Sequence, residues 1–361
     1  MSLSERTGAM PLTVLSVAYP FAPVGPDAVG GAEQVVWQLD AALVQAGHRS
    51  IVIAPAGSVV SGRLAPLPRP PSPLDETAIQ RGRKATARAI DEILTTCRVD
   101  VVHLHGVDHT AYLPRPGVPV VATLHLPLAW YDEAALKPRR PETHLVCVSR
   151  SQRDARPDLR HLDVIENGVA VDRFAPARRH CRYALMLARV CPEKGIHLAI
   201  DAAAQAGVPL LIAGEVFAYD EHRRYFETEV APRLDSTRRW IGPVGFARKR
   251  RLLAAARCLL VPSLAAETSS LVAREALASG TPVIGFRTGA LAEAVDDGVT
   301  GFLVRDAAGM AAAIRRCDDL DRTACRAAAE TRFGLAPMIE RHLALYSRLA
   351  RRAGAPHGAV A

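Results

Sequence analysis

Apolar positions fall along nearly the whole chain in short runs separated by stretches of helical periodicity. Leu12 to Ala18 (LTVLSVA) is a short, mainly apolar run between Pro11 and the Pro/Gly-rich segment 19–29, which predicts a buried parallel strand and then a long loop. From Ala32 the positions Val35, Val36, Leu39, Ala42, Leu43 and Ala46 keep i, i+3, i+4, i+7 spacing until Gly47, the signature of a helix with one buried stripe and a glycine stop. A strand at 50–54 follows, then a helix around 86–97 and strands at 99–104, 118–124, 145–148 and 164–165. The polar, proline-containing stretch from Asp172 to Arg182 reads as an interdomain linker, and the alternation restarts beyond it. Strands are expected at 184–187, 210–212, 239–241, 258–261, 282–286 and 301–304, with helices at 195–206, 219–230, 248–256, 270–279 and onward to 352. Each series predicts a parallel, doubly wound α/β lobe, and the two lobes are expected to face a cleft. The proline-rich segment from Leu64 to Leu74 reads as an exposed loop, and no solenoid-length repeat is present.

Length agrees with two lobes, since 361 residues exceed the ~150 typical of one domain. A hydrophobic fraction of 49% with 5% aromatics suits a globular α/β protein, and no apolar run approaches the roughly 20 residues that cross a bilayer. The polar start, residues 1–10, is expected to be a disordered leader without the apolar stretch of a signal peptide. Seven scattered cysteines, none in a Cys-x-x-Cys pair, point to reduced thiols in a cytoplasmic enzyme and against a disulfide framework or zinc knuckle. The net charge of +8 comes from dispersed arginines without interleaved aromatics, which excludes nucleic acid as the expected partner. Arg81 to Arg88 and Arg341 to Arg352 are basic enough for weak peripheral contact with an anionic membrane, although a solvated, arginine-rich surface is the better account of them.

Candidate chemistry concentrates in residues 261–303. Glu267 and Glu275 flank the start of a helix, with Ser269 or Ser270 as its N-cap and Gly280 and Pro282 as its stop. In a continuous helix the two carboxylates would stand ~12 Å apart, the span between the ribose and the sugar of an extended nucleotide-sugar. The helix amides between them offer positive partial charge to a diphosphate. Glu275 shares a stripe with Leu271 and Ala278, where a core-facing carboxylate needs a partner. Arg189 and Lys194, in ALMLARVCPEKG, follow the first strand of the second lobe, where ligands of open α/β sheets bind and where two cations can neutralise a diphosphate without a metal. By itself such a charged turn is usually just a solvated surface, and its position after the strand is what points to a ligand.

Gly30 and Gly31 open the first helix and allow close backbone approach to a phosphate, or simply a turn, and the missing third glycine disfavours a dinucleotide-binding dehydrogenase. His103, His105 and His109 lack the carboxylate or cysteine that would complete a metal site and are expected as strand-end residues lining the cleft. His125 ends another strand, placed to hydrogen-bond a sugar hydroxyl or to pack as an ordinary histidine. No metal and no cofactor are expected.

Taken together and in order, GGAE (30–33), TLH (123–125), ENGVAVDRF (166–174), ARVCPEKG (188–195), IGPVG (241–245) and Glu-x7-Glu (267–275) with SGTPV and DGVTGFLV resemble glycosyltransferase family 4 across nearly all of residues 12–350. The resemblance implies a GT-B fold of two facing Rossmann-like lobes with the active site between them. It also implies retaining, metal-independent transfer of a hexosyl group from a UDP- or GDP-type sugar to a small-molecule, glycan or lipid-linked hydroxyl. In that family pattern Arg189 and Lys194 bind the diphosphate, Glu267 the transferred sugar and Glu275 the ribose. The amides of Ser269, Ser270 and Leu271 complete the phosphate cradle, Gly30 and Gly31 close over it, His125 faces the sugar and Val244 borders the base. Two departures stand out: Thr268-Ser269-Ser270 replaces the usual Gly-Phe-Gly, and Asn167-Gly168-Val169-Ala170 replaces Asn-Gly-Val-Asp.

The domains implied are 11–177 on the acceptor side, 178–333 binding the nucleotide-sugar, a helix 334–353 crossing back, and a flexible tail 354–361. The alternatives are a nucleotide-sugar epimerase or hydrolase on the same fold and a non-catalytic nucleotide-sugar-binding protein.

Overall fold

In the computed structural model, which describes residues 10–72 and 74–354, the alternation resolves into two parallel sheets. The expected leader, apart from Met10, and the expected tail beyond Gly354 lie outside the described residues. The first unit comprises β1 (Thr13–Val17), α1 (Gly31–Gln45), β2 (Arg49–Pro55), β3 (Arg63–Leu67), α2 (Glu76–Thr96), β4 (Val101–Leu104), β5 (Val120–Leu124), α3 (Glu133–Leu136), β6 (Thr143–Cys147), α4 (Arg150–Asp154) and β7 (Asp163–Val164). Its seven strands run in the order β3-β2-β1-β4-β5-β6-β7, so the winding reverses between β1 and β4. Strands β1, β4 and β5 are buried throughout and β2 from Ser50 onward, as both-face coverage by helices requires of Val/Ile/Leu-rich strands.

Two elements depart from the sequence expectation. The first part of the segment read as a loop is the edge strand β3, in which Pro66 sits opposite Ala54 of β2. Proline is tolerated there because an edge strand has one side without a ladder. The buried Asp40 carboxylate of α1 accepts from the amides of Ser61 at 2.5 Å and Gly62 at 3.2 Å and so aims the chain into this strand. Helix α2 begins at Glu76, well before residue 86, because Asp75 caps it: its Oδ1 accepts from Ala78 N at 2.7 Å.

The second unit comprises β8 (Ala184–Leu187), α5 (Ile196–Ala206), β9 (Leu210–Ala213), α6 (Asp220–Tyr225), β10 (Arg238–Trp240), α7 (Phe246–Ala255), β11 (Cys258–Val261), α8 (Leu271–Ala278), β12 (Val283–Phe286), α9 (Leu291–Ala294), β13 (Gly301–Val304), α10 (Ala307–Arg316) and α11 (Arg322–Arg332). Its six strands run β10-β9-β8-β11-β12-β13, reversing between β8 and β11. One face of the sheet packs on α5 and α10 through Ile196, Ile200, Met310 and Ile314, and the other on α8 and α11 through Ala273, Leu277, Cys325 and Ala329. The stretch expected as a helix over 219–230 is α6 followed by a wider turn at Phe226–Val230.

The chain passes from the first unit to the second between Ile165 and Glu166, with 149–152 also grouped in the second. The boundary read from composition at 177/178 is therefore displaced. Phe174 is buried in the second unit's core, edge-on to Phe246 at 5.5 Å, so the start of the polar stretch is packed structure. The last helix, α12 (Leu335–Gly354), groups with the first unit from Pro337 onward.

Candidate active site

Crossovers that leave β8 and β11 in opposite directions open a crevice at their carboxyl ends, and the charged turn grows from these two strands. Past β8 come Arg189 and a short 3-10 turn, Pro192–Lys194, which ends at Gly195. Past β11 come Ser263 and Glu267. Leu264 N donates to the Glu193 carbonyl at 2.8 Å, which ties the two loops together. The Lys194 Nζ lies 2.6 Å from Glu267 Oε1, and the Ser263 hydroxyl donates to the same oxygen. Burial opposes the charge on Glu267, but the Lys194 ammonium, the Ser263 hydroxyl and the Arg189 charge together hold its carboxyl below the usual range. The site therefore keeps an ionised carboxylate whose Oε2 can accept from a ligand hydroxyl, beside an ammonium with donors to spare. Arg189 lies 3.9 Å from Glu193 Oε1, with its guanidinium 5.7 Å from the centre of the Phe217 ring.

Glu267 itself is outside the helix, since α8 begins only at Leu271, so the ~12 Å spacing of a continuous helix does not apply to the pair of carboxylates. Its backbone is clamped instead. Ala290 N donates to Glu267 O at 2.7 Å, and Gly289 approaches so closely, at φ +50°, that a Cβ there would lie 2.2 Å from that oxygen. Ser270 occupies the N-cap position of α8, but its side chain caps nothing, contrary to the expected serine cap. A capping side chain needs extended backbone, and Ser270 is left-handed at φ 51°, ψ 57°. This conformation is the one glycine adopts without strain, which accounts for the glycine that the family pattern carries here. The hydroxyls of Ser269 and Ser270 are buried and without a partner. Two orphaned hydroxyls at the positive end of a helix make a natural seat for an anion.

Glu275, on the inner face of α8, is buried and has a partner that the sequence reading missed: Lys249 Nζ lies 2.6 Å from its Oε1. Lys249 stands one turn before the buried Leu253 on α7, and that i, i+4 relation is the signal that could have found it. Phe246 organises the start of the same helix, with Arg173, Arg250 and Lys249 at 4.1, 5.2 and 5.5 Å from its ring centre. Val244, half-buried, lies just before this helix. Arg274, the neighbour of Glu275 on α8, is fully buried: its guanidinium donates to the Asn167 carbonyl, pairs with Glu166 at 3.6 Å and stacks on Phe333 at 4.9 Å. It thereby fastens the ENG segment (166–168) to α8.

Arg189, Lys194 and Glu267 are thus brought into one cluster, followed along the chain by Ser269, Ser270 and Leu271, while Glu275 forms its own pair. Gly30, Gly31 and His125 belong to the first unit. Gly30 is the N-cap of α1, and a Cβ on it would stand 1.8 Å from the buried Glu33 carboxylate, so any larger residue here requires the Glu33 side chain to move. His125 follows β5, with Nε2 3.0 Å from His105 Nδ1. The histidines expected to line a cleft are buried instead: His103 bridges Thr123 at 2.7 Å and the Tyr346 hydroxyl of α12 at 2.6 Å, and His342 stacks on it at 5.5 Å. Burial, and then neighbouring imidazoles, push His103 and His105 well below the usual range, His125 down to about 3 and, by burial, His342 to about 4.

Two parallel-sheet Rossmann-like units of this kind define the GT-B class of glycosyltransferases. AviGT4, a glycosyltransferase involved in avilamycin A biosynthesis, has the same fold at a TM-score of 0.70 and 27% identity, with 96% of this chain and 99% of that chain covered. Sucrose-phosphate synthase from Thermosynechococcus elongatus reaches a TM-score of 0.76 at 21% identity, covering 94% and 100%. Residues 29–173 match the sequence profile Glycosyltransferase Family 4, and residues 181–318 match Glycosyl transferases group 1. Phosphatidyl-myo-inositol mannosyltransferase of Mycolicibacterium smegmatis is 31% identical over 81% of this chain and 82% of its own length, and glycogen synthase of Mycobacterium tuberculosis is 28% identical over 89% of both. The chain belongs to glycosyltransferase family 4.

Proposed function

We propose that the protein transfers a hexosyl group, with retention, from a UDP- or GDP-sugar to an acceptor hydroxyl, using cationic side chains in place of a metal. One observation carries the reading: the Lys194–Glu267 pair stands beside a helix end whose two serine hydroxyls are buried and unpartnered. In this reading Arg189, Lys194 and the start of α8 take the diphosphate, with charge-assisted bonds that strengthen as the leaving group gains charge. Glu267 orients the transferred sugar through Oε2, and Glu275, held by Lys249, receives the ribose hydroxyls. Val244 borders the base, Gly30 and Gly31 approach the phosphates, and His125 faces the sugar.

The donor class is supported by the Anabaena protein HepE, whose structure is described in complex with UDP-glucose, at a TM-score of 0.72 and 20% identity over 93% of this chain and 100% of that one. A glycan or lipid-linked acceptor is in keeping with the glycogen synthase and phosphatidyl-inositol relatives. No helix among the described residues is long and apolar enough to cross a membrane. In this reading the enzyme works in the cytoplasm and meets a lipid-linked acceptor by peripheral contact at the inner face. A panel of UDP- and GDP-hexoses, without added divalent cation, tests the donor assignment by thermal shift and nucleotide release. A stabilising donor that is also turned over supports it, and isomerised donor or binding without turnover sinks it.

A further inference from the structure

The turn that carries Arg189 and Lys194 holds a second constellation. Cys191 Sγ, a Glu193 carboxylate oxygen and a ring nitrogen of His222 lie within 4.8 Å of one another. Among the described residues it is the one grouping of three such side chains able to hold a metal ion. Cys191 is fully buried and His222 is 8% exposed, and the His222 Nδ1 is buried without a hydrogen-bond partner. The Cys191 thiol lies 3.6 Å from the Arg189 carbonyl and within hydrogen-bonding reach of the Glu193 carboxylate. His222 is fixed by aromatic neighbours, Tyr219 at 5.1 Å and Phe217 at 6.3 Å between ring centres.

We propose that Cys191, Glu193 and His222 form a binding site for Zn2+. A thiolate, an imidazole and a carboxylate are the ligand types this borderline-soft ion takes, and oxygen-seeking Mg2+ disfavours the sulfur. Ion–ligand bonds of about 2.0 to 2.3 Å put neighbouring ligand atoms of a tetrahedral site roughly 3.3 to 3.6 Å apart, so a shift of about 1 Å closes the set around an ion. Three protein ligands leave the fourth position to water. On binding, the Cys191 thiol loses its proton to solvent as the sulfur–zinc bond forms, and the ion takes up the unpartnered lone pair of His222. The ion is distinct from the counter-charge of the diphosphate, which Arg189 and Lys194 supply. Because Glu193 is also the 3.9 Å partner of Arg189, a bound ion takes that carboxylate and leaves the guanidinium to the donor.

Zinc content after equilibration with Zn2+ and dialysis, measured by inductively coupled plasma mass spectrometry on protein without a polyhistidine tag, tests the site. The full chain should retain about one ion, and competition with a chromophoric chelator should show affinity falling more than ~100-fold in His222→Ala and Cys191→Ser, beyond what loss of an outer partner costs. Replacing the more accessible cysteines, Cys97→Ser and Cys181→Ser, should change nothing. Should Cys191→Ser fail to fold by circular dichroism, Glu193→Gln and His222→Asn serve in its place. Retention below about a tenth of an ion per chain, or binding that tracks Cys97 and Cys181, overturns the proposal.

Discussion

Lys194 Nζ and Glu267 Oε1 stand 2.6 Å apart at the carboxyl ends of β8 and β11, with the lysine side chain 28% exposed and the carboxylate 8%. The unequal burial decides what each substitution does. Lys194→Met strands a largely buried carboxylate with Ser263 as its remaining side-chain donor, a loss of about 1–3 kcal/mol in urea unfolding. Glu267→Gln keeps the shape and leaves the lysine solvated, so its unfolding midpoint should barely move. Equal losses in the two variants would contradict this asymmetry.

Ser270 holds a left-handed backbone that glycine adopts freely. Ser270→Gly should therefore raise stability by about 1 kcal/mol, whereas Ser270→Val should lower it by more than that. Urea midpoints of the two variants check the sign, and a destabilised glycine variant would show that the hydroxyl matters more to the fold than the backbone strain.

The Lys249–Glu275 pair is expected to act as a unit on the nucleoside. Glu275→Gln should weaken UDP or GDP binding about tenfold, and a double-mutant cycle with Lys249→Met should show coupling of about 0.5–3 kcal/mol. Calorimetric titration of the nucleotide gives both numbers, and strict additivity would separate the lysine from the site.

The histidine cluster sets the acid limit of the first unit. Its imidazoles are held neutral in the fold, with His125 at about 3 and His342 at about 4, against about 6.5 when unfolded. The unfolded chain binds protons that the fold refuses, so stability is full above pH ~6.5 and falls as pH drops toward 4, by up to ~1.4 kcal/mol per pH unit for each histidine. Glu267, whose folded value is depressed, loses its contribution only below about pH 4.5. Unfolding free energies at pH 7.5, 6 and 5 should decline steeply in the wild type and less in His342→Leu. A flat profile over that range would contradict the assignment.

Much of this was legible in the sequence for a physical reason: strands buried on both faces must be mainly apolar runs, and β1, β8 and β11 are such runs. The charged turn was legible because Arg189 and Lys194 directly follow a strand. What stayed hidden depends on contacts made far along the chain. Tyr346 and His342 bury His103 from α12, Lys249 partners Glu275 from another helix, and His222 approaches Cys191 from α6. Ser270 was misread as a cap because residue type suggests capping while the backbone angle forbids it.

The most direct test of the account is turnover of the accepted UDP- or GDP-hexose by wild type and Glu267→Gln without added Mg2+ or Mn2+, with the product's anomeric configuration read by NMR. The product should keep the donor's configuration, and the rate should be lowered on the order of 100-fold or more in the variant. An inverted product, or a Glu267→Gln enzyme with the full wild-type rate, would contradict it.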